Sequence, residues 1–68
     1  MERYIAIDSD YKIVGYSGYS LARAKSYYYN GWIVGTIVDH EIVEVFGNKI
    51  APSEFADIVY GMFAEMNK

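Results

Sequence analysis

From Trp32 to Gly47 the chain reads WIVGTIVDHEIVEVFG, two β-branched runs separated by Asp39-His40-Glu41. Valine, isoleucine and threonine are stiff at χ1 and crowd the turns of a helix, so a stretch this rich in them commits to strands. The polar triplet folds the two strands into a hairpin. Alternation along them then sets a demand. Trp32, Val34 and Val38 point one way and Ile33 and Ile37 the other, while on the next strand Val43 and Val45 oppose Ile42 and Phe46. Both faces are apolar, and any fold built on this hairpin has to cover both.

The rest of the chain supplies another hairpin and two helices. RYIAID and the IVGY beyond DSDYK form a first hairpin, over residues 3–8 and 12–16, with a cluster of turn formers between its strands. Gly15, Ser17 and Gly18 are read as the end of its second strand. Ser20 precedes LARAKSYYY at the N-cap position, where a hydroxyl accepts from a free amide of the first helical turn. Leu21, Ala24 and Tyr28 share a helical face, and Asn30-Gly31 closes that helix. Gly47-Asn48-Lys49 ends the second hairpin, and Pro52 sits where a helix accepts proline, in its first turn. Phe55, Ile58, Val59, Met62, Phe63 and Met66 then fall at helical spacing and give the strongest periodic signal in the chain.

The expected fold is α+β, in the order β-β-α-β-β-α: a mainly antiparallel four-stranded sheet with two helices packed on one face, forming one domain over residues 1–68. In that arrangement the second sheet face, or an edge, is left to meet a second copy or a partner.

Size and composition point the same way. A chain of 68 residues buries only about 60% of the surface its unfolded form exposes, so small domains commonly lean on disulfides, metals or association. Cysteine is absent, which leaves association. Eight tyrosines contribute to an aromatic content of 18%, more than a small core hides, and exposed aromatics mark interfaces. No apolar run approaches the roughly 20 residues of a membrane span, and MERYIAIDSD has neither the basic end nor the apolar stretch of a secretion signal, so the chain reads as cytoplasmic, without membrane contact. Net charge is −3, and the basic residues Arg3, Lys12, Arg23, Lys25, Lys49 and Lys68 are scattered rather than gathered into a stripe that tracks phosphates. Nucleic-acid binding is disfavoured.

Three short motifs invite chemistry and fail on spacing. GYSGYS resembles a nucleophile elbow, but its second glycine arrives one residue early and the sole histidine, His40, lies in a turn. Asp8-Ser9-Asp10 opens like a calcium loop and continues with Tyr11, Lys12 and Ile13, which supply none of the remaining ligands. Asp39-His40-Glu41 places three ligand types side by side, and consecutive turn residues diverge rather than enclose an ion. No catalytic set, metal site or cofactor is therefore expected.

What remains is surface. Tyr27-Tyr28-Tyr29 advance about 100° each around a helix, so only one of them fits the face of Leu21 and Ala24. Tyr28 is assigned to the core. Tyr27 and Tyr29 flank it and, with Tyr16 and Tyr19, offer an aromatic anchor of the kind enriched at interfaces. Glu54, Asp57, Gly61 and Glu65 share the opposite side of the last helix, an acidic face for a basic partner. The sequence thus reads as a small acidic protein–protein interaction module, a homodimer and a non-enzymatic inhibitor or modulator of another protein, in the style of phage proteins that act on a host factor. Partner-binding residues are Tyr16, Tyr19, Tyr27, Tyr29, Glu54, Asp57 and Glu65. The competing reading is a small-ligand sensor with a pocket between the sheet and the first helix, lined by tyrosines and Trp32.

Overall fold

A computed structural model describes residues 1–66 and places the elements in the expected order: β1 (Arg3–Ile7), β2 (Val14–Gly18), α1 (Leu21–Tyr29), β3 (Ile33–Val38), β4 (Glu41–Val45) and α2 (Pro52–Met66). The four strands form one antiparallel sheet in the order β2-β1-β3-β4. The two hairpins join through β1 and β3, where Arg3 pairs with Ile37, Ile5 with Gly35 and Ile7 with Ile33. The fold is α+β, with both helices packed on the sheet.

The helices lie on opposite faces, which corrects the expectation of one shared face. Strand β1 shows the division residue by residue, since side chains alternate across a strand. Ile5 and Ile7 cluster with Phe55 and Val59 of α2, whereas Tyr4 and Ala6 cluster with Ala24 of α1. The apolar second face of the sheet is therefore covered by α1 within the chain over β1, β2 and β3.

The two faces are packed by different means. On the α2 face Ile5, Ile7, Ile33, Val45, Phe55 and Val59 are buried together. The Phe55 ring fits over Gly35, where an added Cβ would lie 2.5 Å from it. On the α1 face Ala24 is fully buried against Ala6 and Val34, small residues that let a helix approach a sheet closely, and aromatic rings fill the flanks.

Two irregularities in the strands escaped the alternation. Val14 pairs with Ile7 and Tyr16 with Ala6, so Gly15 is an extra residue, a bulge. Strand β2 accordingly runs through Ser17 to Gly18 rather than stopping among them. On β4 Ile42 pairs with Ile37 and Glu44 with Thr36, which makes Val43 the extra residue. The shift puts Ile42 and Val45 together on the α2 face and sends Phe46 to the other, where strict alternation set Val45 against Ile42.

Turn chemistry fixes the remaining ends. Asp39 and His40 both adopt left-handed backbone, φ 51° and 69°, the mirror-image turn whose twist matches a two-residue hairpin. Ser20 caps α1, its Oγ accepting from the Arg23 amide at 3.2 Å, and the left-handed Gly31, φ 93°, follows the helix end. In the β1–β2 loop the Asp8 carboxylate accepts from the amides of Lys12 and Ile13, both at 2.7 Å. Along α2, Phe55 and Val59 are buried, Ile58 and Met62 half-buried, and Phe63 is exposed at its far side. The side chain of Met66, predicted to extend that stripe, and Lys68 lie outside the described residues.

Candidate functional site

The tyrosines of α1 separate into inner and outer members. Tyr27 turns toward the sheet, donates its hydroxyl to the Gly15 carbonyl at 2.9 Å, stacks on Tyr16 with ring centres 5.8 Å apart and meets Trp32 edge-on at 5.2 Å. The bulge makes that contact possible: a Cβ on Gly15 would fall 2.6 Å from the Trp32 ring and 2.9 Å from that of Tyr27. Tyr16 is committed as well, its hydroxyl accepting from the Ser20 amide at 2.9 Å. Both rings are half-buried, with their hydroxyls used inside the protein. Beside Trp32, where the sequence suggests a tyrosine-lined pocket, these rings pack against one another.

Tyr28 is half-buried rather than central, edge-on to Phe46 at 5.8 Å, with the Lys49 ammonium 5.1 Å from its ring centre. Tyr29 is 77% exposed and leans on Tyr28 at 5.6 Å. Tyr19 is also exposed, but it lies beside Met1, Arg3, Ile37, Asp39 and His40, away from Tyr29. The four tyrosines chosen from sequence do not form one surface: two support the α1 packing and two are exposed in different places. Glu54, Asp57 and Glu65 are exposed on α2, in the layer across the sheet from α1. There Glu65 borders a groove of about 500 Å³ with Tyr11, Lys12, Ile58, Gly61 and Met62.

A more continuous surface lies beside α1. At nine residues this helix is short, and it packs on β1, β2 and β3. Beyond it the same face of β4 is left open. Two concavities, of about 350 Å³ and 200 Å³, run along this margin and share Leu21, Glu44 and Phe46. Lys25, Tyr28 and Tyr29 line the first; Tyr4, Thr36 and Val43 line the second. Leu21 and Val43 are 44% and 51% exposed, a high fraction for aliphatic residues in a packed domain. Of the residues nominated from sequence only Tyr29 belongs to this groove. The sequence pattern sets Leu21 only on one helical face with Ala24 and Tyr28, and the outward turn of Val43 depends on a bulge that the alternating pattern does not announce.

Negative charge collects at one end of the groove. Glu2 and Glu44 both line it, and the Tyr4 hydroxyl donates to Glu2 Oε2 at 2.9 Å. That hydrogen bond, followed by burial and the charges of Glu2 and Glu44, holds the Tyr4 phenol above its ordinary pKa. Among the described residues, no group of three histidine, aspartate or glutamate side chains is placed to hold a metal ion, and no helix is long and apolar enough to cross a membrane. No protein-family model, curated protein or solved structure matches the chain.

Proposed function

We propose that the protein is a non-enzymatic binding module that inhibits or modulates another protein, and that it engages this partner through the groove between α1 and β4. The observation that carries the reading is the conjunction of Leu21, Tyr29 and Val43, apolar and exposed, along one margin of an edge strand. Exposed aliphatic and aromatic side chains at an open sheet edge supply what partner recognition uses: rigid contact area and a backbone ladder to extend. Tyr16 and Tyr27 serve the module indirectly, by holding α1 in place. Tyr19 and the acidic side of α2 are rival surfaces, and each is separable by mutation.

Affinity capture with the immobilised protein, read by mass spectrometry, tests this. A protein retained by the native chain is expected to be lost with Tyr29→Ala and with Val43→Lys, and kept with Tyr19→Ala and with the combined Glu54→Gln, Asp57→Gln change. Retention by both groove variants, with loss on either rival surface, moves the site elsewhere.

A further inference from the structure

The smaller concavity, about 200 Å³, is below the roughly 300–1,000 Å³ of small-molecule sites and suits a single long side chain. Leu21, Val43 and Phe46 give it apolar walls. Its floor is polar: Thr36, only 5% exposed, lines it. The carboxylates of Glu2 and Glu44 stand at the same opening, and none of the lining residues is basic. Apolar walls with carboxylates at the mouth match a side chain with a hydrocarbon stem and a cationic head.

The strand beside the pocket completes the pattern. β4 is an edge of the sheet, and Glu44 pairs inward with Thr36. A strand added outside β4 would place a residue next to Glu44 on the same sheet face, where an opposite charge stabilises the pair and a like charge opposes it. A second copy meets that opposition: antiparallel pairing of β4 with itself sets Glu41 and Glu44 of both copies along one seam.

We propose that the pocket between Leu21, Thr36, Val43 and Glu44 receives the lysine or arginine side chain of an extended partner segment, which adds to β4 as a fifth strand. The proposal rests on the groove being the partner surface and names the chemistry that the groove selects: an extended, basic, apolar-alternating segment.

Amide chemical-shift titration of the whole chain with a short blocked peptide alternating valine and arginine tests it, against the counterpart with glutamine in place of arginine. Shifts are expected at Thr36, Val43 and Glu44 with the arginine peptide, with affinity for the glutamine peptide lower by about tenfold or more, as the loss of a charge-assisted hydrogen bond implies. Glu44→Gln is expected to remove most of that preference. Equal response to both peptides in the groove overturns the cationic pocket and leaves the docking surface standing. No response in the groove overturns the pocket, and the capture experiment with Tyr29→Ala then judges the docking surface by itself. Concentration-dependent shifts on β4 without peptide assign the edge to a second copy and also overturn the proposal.

Discussion

The two faces of one sheet are built for different ends. The α2 face is aliphatic and anchored by a phenylalanine seated over a glycine; the α1 face is aromatic, tied by tyrosine hydroxyls and covered by a short helix that packs on β1, β2 and β3 and lies to one side of β4. Dispersion and burial dominate the first, where every displaced methylene is felt. On the second, hydroxyl bonds and ring stacking join Tyr16, Tyr27 and Trp32 around Ala24, and the margin next to β4 rests on ring contacts of Phe46 with Tyr4 and Tyr28, with Leu21 and Val43 exposed beside them. On the function proposed above, stability and recognition are thereby separated across a single layer of strands. A small domain gains from this, because a docking surface made of core residues would expose the core whenever the partner leaves.

The contrast can be broken most forcefully at Phe55. Phe55→Ala removes the largest side chain buried on the α2 face and is expected to cost about 3–5 kcal/mol, much of the stability of a domain this size, measured by urea unfolding. A loss comparable to that of an exposed residue would mean that the α2 face is not the main core. Next comes Gly35→Ala, which sets a Cβ against the Phe55 ring and is expected to destabilise by about 1–3 kcal/mol through overpacking, with the Phe55 ring resonances displaced. The α1 face should yield less: Tyr27→Phe deletes the hydroxyl bonded to the Gly15 carbonyl, an expected loss of about 0.5–1.5 kcal/mol by the same measurement.

Acid sensitivity sharpens the comparison in the loop between β1 and β2. The amide of Ile13 lowers the pKa of Asp8 most, partly offset by burial and reinforced by the amide of Lys12. A carboxylate with a depressed pKa in the folded state stabilises above its unfolded pKa and loses that contribution as pH falls through the folded value. Stability is therefore expected to decline below about pH 4, and Asp8→Ala to flatten that decline; an unchanged acid slope in the variant would remove Asp8 as its cause. The smallest effect is expected at Tyr29, whose replacement by alanine shifts unfolding by less than about 0.5 kcal/mol while abolishing partner capture.

Much of this architecture is visible in the residues. The β-branched runs, the Ser20 cap, the Pro52 start and the apolar spacing of α2 each follow from local preferences, and local preferences place elements well. What they leave open is which face each helix takes. The alternation of β1 carries that information, because Tyr4 and Ala6 suit an aromatic layer and Ile5 and Ile7 an aliphatic one, but it becomes readable only once β1 is known to lie beside β3. The bulges at Gly15 and Val43 are harder, since an inserted residue is defined by its partner strand. That is why the alternation does not announce Val43, Glu44 and Phe46 as neighbours along one groove, whereas Tyr16 and Tyr27, conspicuous in sequence, are half-buried with their hydroxyls bonded inside the protein.

Val43 and Val45 put the central contrast within one strand, two residues apart: the first 51% exposed in the groove, the second 1% exposed beneath α2. Paramagnetic relaxation of their methyl resonances by a soluble gadolinium chelate measures that difference directly. Strong broadening at Val43 with little at Val45 is the predicted result; equal protection of the two would mean that α1 or a second copy covers β4 and would contradict an open groove.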